Sequence, residues 1–512
     1  MIHTPHVDWF AISTMLVLLG ASFVALLGAV LVPAGARRAF AATVSGLGFA
    51  GGLITSIWLY ATSAHGHLVV SGAFYRDRWT MLSQIVICGI GLLTTLVGAE
   101  QVARPRDDHI SEFFSLLLAC SAGMTFFVGS ANLMVTFLSL EWFSIALYVM
   151  CAIDYDVEGS LEAGLKYLII GSFGSAALLF GSALVYGATN RIDFAGIAAN
   201  GHSNDSLLVL GLAMIIAGLG FKSSSAPFHM WTPDVYEGAP TTVTAFMSAA
   251  TKVAAFALAF RLLRTAFPAE EHLWSWTFAG IAAASLAIGN LAALVQRNVK
   301  RMLAYSSVSH AGFLLIGLSA GSALGGRALL YYLIVYSAMA FGSFAVVAAR
   351  ERELGEAVTL DNLAGFGWER PFLGVAMWFF LFGFAGLPVG GGFVAKFYVF
   401  SAAYKHGWAW LVIVGVIFTL VSLYYYLAVV RAMYMRPSEE LRIAAVAGGS
   451  PPREPLLHIA VGIALLVSVG SLFAVGPVVN LTKHAVAALP FWVYPFLGYA
   501  PAAGRRSSNG RL

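Results

Sequence analysis

Long apolar runs separated by short polar turns dominate the chain. A membrane-spanning helix needs about 20 consecutive apolar residues. On that measure the runs fall at 9–32, 39–63, 79–100, 110–129, 131–152, 160–187, 206–229, 240–264, 274–295, 302–320, 328–349, 371–402, 408–434 and 456–480, with a short apolar stretch near 488–499. The pattern predicts an all-α polytopic membrane protein of about 14 transmembrane helices. The longest polar stretches, 189–205, 350–370 and 436–455, read as loops and leave no room for a soluble domain.

Two of these runs are interrupted. GFKSSSAPFHMWTPD (220–234) places Lys222, three serines and Pro227 inside the seventh, and GLPVGGGFVAKFYVF (386–400) places Pro388, three glycines and Lys396 inside the twelfth. The interruptions lie five spans apart, and an odd offset inverts the second unit relative to the first. Inverted-topology repeats built around broken helices have this form. The expected division is an N-terminal three-helix segment (1–109), a first repeat of helices 4–8 (110–264), a second repeat of helices 9–13 (265–435) and a final loop, helix and tail (436–512).

Composition agrees. The chain is 59% hydrophobic and 11% charged, where soluble proteins carry about 25% charged residues. Ala34-Gly35-Ala36 resembles a signal-peptidase site, but no Lys or Arg precedes the first run, and its 24 residues exceed the ~7–15 of a signal core. That run is read as a retained helix. Loop charge sets orientation: Arg37, Arg38, Arg104, Arg106, Arg297, Lys300 and Arg301 lead an excess on one side, which places the N-terminus outside. Cys88, Cys120 and Cys151 stand singly, without metal or redox spacing. A net charge of +4 spread over short loops implies no nucleic-acid partner.

Charges inside the runs are the candidate chemistry. The chain has seven lysines; Lys300, Lys405 and Lys483 fall in loops or at span ends, whereas Lys166, Lys222, Lys252 and Lys396 fall within spans. A charge at the centre of a helix costs ~2.5–3.5 kcal/mol on insertion scales. Lys252 lies deepest, on a small and polar face with Thr241, Ala245, Ser248 and Ala259. Glu141 is the deepest carboxylate, with Ser144 and Tyr148 on its face, and needs a nearby lysine to ionise. Lys166 follows Glu162 by four residues, the order that favours an intrahelical pair. Whether Lys166 or Lys222 partners Glu141 is open at this level. His310 lies among Ser306, Ser307 and Ser309, where hydroxyls beside an imidazole suit a proton wire. His229, just after Pro227, suits a structural or gating role as well as a chemical one. Glu141, Lys166, Lys222, Lys252, His310 and Lys396 then form a row of buried titratable groups, and proton translocation follows as the expected function. Moving one proton against 100 mV takes ~2.3 kcal/mol, comparable to one such pairwise interaction.

FKSSSAPFHMWTPDVYEGAPTTVTAFMSAATKVAAF (221–256), NVKRMLAYSSVSHAGFLL (298–315) and GLPVGGGFVAKFYVF (386–400) resemble the antiporter-like membrane subunits of respiratory complex I, the bacterial NADH:quinone oxidoreductase. The resemblance runs from about Glu141 to Lys396 and is nearest to the N-type subunits. M-type members typically carry glutamate where Lys396 stands, and L-type members extend into long additional helices. It implies two inverted five-helix repeats with discontinuous seventh and twelfth helices, and a role in redox-driven proton pumping. Glu141 matches the family's fifth-helix glutamate, Lys166 its sixth-helix lysine, Lys222 its seventh-helix lysine, Lys252 its central lysine and Lys396 its twelfth-helix lysine. FMN, iron–sulfur clusters and quinone are implied for partner subunits, with no cofactor in this chain. The implied partners are other membrane subunits, further antiporter-like subunits among them, in a bacterial inner membrane. One departure is LPVGGG, where the family commonly has Pro-Pro or Pro-Thr; the extra glycines are expected to loosen that segment. The competing expectations are a subunit of a cation/proton antiporter or of a related membrane hydrogenase or dehydrogenase complex, and a passive assembly subunit.

Overall fold

The computed structural model describes residues 7–64, 66–100, 109–201, 205–435 and 454–489. Arg104, Arg106, the loop at 436–453 and the apolar stretch beyond 489 lie outside the described residues.

The first segment comprises α1 (Ser13–Leu31), α2 (Ala34–Thr62), a hairpin of β1 (His67–Val69) and β2 (Phe74–Arg76), and α3 (Arg78–Ala99). Residues 34–36 form the first turn of α2. Next come α4 (Ile110–Phe127), α5 (Leu133–Cys151), α6 (Glu158–Thr189), the short α7 (Phe194–Asn200), α8 (Ser206–Ser223), α9 (Trp231–Gly238) and α10 (Thr241–Ala266). They are followed by α11 (Glu271–Leu294), α12 (Val299–Ser319), α13 (Ala323–Leu354), the single turn α14 (Phe366–Glu369), α15 (Pro371–Ala385), α16 (Gly391–Lys405) and α17 (Ala409–Met435). The last described helices are α18 (Pro455–Phe473) and α19 (Val475–Ala487). Thirteen of the described helices are long and apolar enough to cross a membrane. Together α15 and α16 make up the remaining expected pass.

Polar residues between the runs start the helices by accepting the free amides of a first turn. Asp77 caps α3 at Thr80 N (2.8 Å), Asn132 caps α5 at Val135 N (2.8 Å), and Ser322 caps α13 at Gly325 N (3.1 Å). The expected span 456–480 is shorter than the pattern suggested. Pro477 has no amide to donate and clashes with the carbonyl four residues back, so α18 stops at Phe473 and α19 begins as a separate piece.

The bundle is turned outward in its apolar character. Leu31, Phe173 and Leu420 on α1, α6 and α17 are exposed, as lipid-facing positions are, whereas α10 is buried along all but its last turn. With α12 and α13 it forms the centre of the protein. One buried ion pair locks α3 to that centre. Arg261 of α10 and Asp77 are both 0% exposed and meet through two bonds of 2.7 and 2.8 Å, with Thr80 Oγ1 accepting a third at 2.7 Å. Trp79 Nε1 donates to the Ala257 carbonyl of the same helix at 3.0 Å.

Both expected interruptions are present. α8 ends at Ser223, Ser224 turns left-handed (φ 60°), and Pro227 lies in the stretch that separates α8 from α9. α15 ends at Ala385, Gly386 turns at φ 80°, and Pro388 lies in the link before α16. Two of the glycines after Pro388 are closely packed. A Cβ on Gly392 would overlap the Gly383 carbonyl, and one on Gly391 would overlap Ser471 Oγ. Gly392 lets α16 pack against the α15 backbone, and Gly391 lets it pack against α18.

Candidate functional site

A helix that ends inside a membrane leaves carbonyls without intrahelical partners. Both breaks solve this with a lysine. Lys252, from the middle of α10, donates to the Ser223 carbonyl at 2.9 Å. Lys396, on α16, reaches back to the Ala385 carbonyl at 3.4 Å and to Thr419 Oγ1 of α17 at 3.4 Å. Ser223 and Ala385 are the last residues of their half-helices. Both lysines are buried, and Lys396 also lies over the Phe313 ring at 4.2 Å.

Lys222 occupies the last turn of α8, next to Ser223. Its ammonium donates to Ser144 Oγ of α5 (2.8 Å) and Tyr167 Oη of α6 (3.1 Å), and faces the Phe143 ring at 4.5 Å. Hydroxyls and aromatic faces thus replace its hydration shell.

His310 lies on α12 in the buried centre, within electrostatic reach of both Lys252 and Lys396. The expected serine wire is built differently from its sequence neighbours. Nδ1 meets Tyr332 Oη of α13 at 2.7 Å and Nε2 meets Tyr426 Oη of α17 at 3.3 Å. Ser306 bonds Tyr426, Ser307 accepts from Tyr336 at 3.0 Å, and Ser309 accepts from Asn290 Nδ2 at 2.8 Å. The tyrosines come from other helices, and nothing in the local sequence around His310 signals them.

Lys166 stands apart from the buried row. It forms the expected pair with Glu162 (2.6 Å) and a second with Asp234 of α9 (2.8 Å), at the edge of a cleft of about 870 Å³. Asp234 also holds Arg301 at 2.7 Å, Arg301 holds Glu237 at 2.8 Å, and Lys300 lies 3.6 Å from Glu351. Lys300 was expected at a span end, and it does begin α12. It is nonetheless buried, donating to the Ala239 carbonyl at 2.9 Å. Asp234, Glu237 and Glu351 were missed because their partners are remote in sequence.

Glu141 makes no ion pair with either lysine among the described residues. It lies on α5 between the exposed Leu138 (57%) and Ile145 (55%), with its Oε1 buried and unpartnered. Lys222 is the better-placed candidate partner: its own partner Ser144 follows Glu141 by three residues on the same helix, whereas Lys166 is taken up by Glu162 and Asp234. His229 is half-buried beyond Pro227, with Nδ1 unpartnered.

Two broken membrane helices, each with its freed carbonyl held by a buried lysine, and a buried histidine within electrostatic reach of both lysines define an antiporter-type membrane protein. The family described as NADH:quinone oxidoreductase/Mrp antiporter, TM, matches residues 130–422. Subunits N of NADH-quinone oxidoreductase are similar to this chain: the one from Trichlorobacter lovleyi is 41% identical over 72% of this chain and 77% of its own length. That from Rhizobium meliloti is 41% identical over 77% and 82%. A chain in the structure of respiratory complex I from Thermus thermophilus, with bound aureothin, superposes with a TM-score of 0.77 at 30% identity, covering 92% of this chain and 99% of that one. A chain of the Mrp complex from Dietzia shares the fold alone, with a TM-score of 0.80 at 22% identity over 93% and 98%. The chain belongs to the NADH:quinone oxidoreductase/Mrp antiporter membrane family, on the branch of the N subunits.

Proposed function

We propose that this chain is the proton-translocating membrane subunit N of an NADH:quinone oxidoreductase, driven by electron transfer in other subunits. Lys222, Lys252, His310 and Lys396 carry the proton across the buried centre, Glu141 modulates Lys222, and Lys166 sets the charge at the cleft. The observation that carries this reading is the pairing of each break carbonyl, Ser223 and Ala385, with a buried lysine. A lysine so placed exchanges its proton only when water or another group replaces the carbonyl, so a small movement of a half-helix can change proton affinity. The repeat boundaries proposed are 110–264 and 265–435, consistent with breaks five passes apart.

Among the described residues no three His, Cys, Asp or Glu side chains gather as a metal site. In this proposal FMN, the iron–sulfur clusters and quinone belong to partner subunits, and further antiporter-like subunits lie beside this one in the membrane. A bacterial inner membrane with the N-terminus outside fits the loop charges. The family description covers Mrp antiporters too, but the Mrp chain shares the fold at 22% identity, whereas N subunits share about two residues in five.

Inverted vesicles energised with NADH test the proposal. The wild-type complex is expected to drive proton uptake, and Lys396→Ala, in an assembled complex, to abolish most of it. Uptake that follows sodium instead of protons, or that survives the substitution unchanged, refutes the reading.

A further inference from the structure

His310 differs from the buried lysines in having both faces of its titratable ring occupied. A neutral imidazole has one N–H donor and one bare acceptor nitrogen. With Tyr332 Oη at Nδ1 and Tyr426 Oη at Nε2, one tyrosine therefore donates to the ring and the other accepts from it. Tyr332 and Tyr426 are each buried, come from different helices, and approach opposite nitrogens. Beyond Tyr426 the hydroxyl chain continues to Ser306. Phe313 and Phe384 pack near the ring, at centroid distances of 5.8 and 4.8 Å, so aromatic carbon surrounds this short polar line.

We infer that Tyr332 and Tyr426 are relay hydroxyls for this chain, which pass protons to and from His310. The inference rests on the proton-relay reading above and adds two residues to it. The bare ring nitrogen takes the hydroxyl proton of one tyrosine, while the N–H on the opposite nitrogen gives its proton to the other. On the Tyr426 side the proton is replaced from, or passed on to, Ser306; on the Tyr332 side a water molecule entering beside the hydroxyl is the donor or acceptor that the step requires. One proton enters and one leaves, no phenolate remains, and the ring is neutral before and after. His310 thus moves charge without storing it, which suits a group that feels the charge of two lysines.

The test uses the assembled complex in inverted vesicles, with proton uptake per NADH oxidised and its solvent deuterium isotope effect as readouts. Tyr332→Phe and Tyr426→Phe each remove one oxygen and are expected to lower proton uptake by about tenfold or more, with an enlarged isotope effect. Tyr332→Gln and Tyr426→Gln restore a hydrogen-bonding group that does not readily pass protons, and are expected to stay defective. Wild-type pumping in either Gln variant overturns the relay and leaves only a positioning bond. His310→Phe separates the two levels. If it pumps normally, the relay reading of His310 itself fails; if it does not pump while both Phe variants do, only the tyrosine inference fails.

Discussion

Lys252 crosses from the middle of α10 to the Ser223 carbonyl, 2.9 Å away, at the end of the half-helix that carries Lys222. The bond ties the central lysine to the first break, and ties two neighbouring buried cations to one hinge. An ammonium in that position satisfies a carbonyl that the break would otherwise leave unpartnered in a water-poor interior.

Replacing Lys252 by methionine keeps the length of the side chain and removes the charge. Proton uptake by the assembled complex is expected to fall by about tenfold or more, and Lys252→Arg is expected to recover little of it. A guanidinium holds its proton throughout, so it can fill the bond but cannot discharge. Uptake in NADH-energised vesicles measures both variants, and full activity in Lys252→Arg would show that the charge alone suffices.

Gly392→Ala is expected to destabilise the second break by about 1–3 kcal/mol, as overpacking does, because its Cβ lands on the Gly383 carbonyl. Gly280 on α11 is the control, since a Cβ there meets open space. Gly280→Ala should leave thermal stability of the detergent-solubilised complex unchanged or slightly raised. Equal melting of the two variants would show that the contact has slack.

Arg261→Met leaves Asp77 buried and without its cation. Breaking one side of a buried pair costs about 3–5 kcal/mol, so α3 is expected to detach from α10 and the complex to melt at lower temperature. Asp77→Asn keeps the cap on Thr80 but strands the guanidinium, and a similar loss is expected. Limited proteolysis at the 64–77 connection reads the detachment directly.

Asp193 caps the short α7 at Gly196 N (2.8 Å) and is paired with Arg191 (2.8 Å), which holds its carboxyl below the usual carboxylate range. A depressed folded pKa gives stability that is present above the unfolded value, near 3.9, and lost as pH falls through the folded one. The protection of the α7 amides, measured relative to the intrinsic exchange rate at each pH, is therefore expected to be full at neutral pH and to fall below about pH 4. In Asp193→Asn that acid step should disappear. An unchanged acid response in the variant would assign it to another group.

The sequence by itself determined the membrane class, the succession of spans, both breaks and the depth of Lys222, Lys252, His310 and Lys396. Run length, prolines and the rarity of charge in apolar helices are local properties, and lipid makes them decisive because every backbone group must be satisfied within the protein. Tertiary structure decided the pairings. Lys166 turned to Asp234 at the cleft, Glu141 has no ion pair among the described residues, His310 took tyrosines from α13 and α17 in place of its neighbouring serines, and Arg261 found Asp77 across 184 residues. Each of these contacts joins helices whose separation along the chain carries no periodic signal. Only the packing of the helices on one another brings the groups within hydrogen-bonding range: α6 on α9 at the cleft, and α3, α13 and α17 around α10 and α12 at the centre.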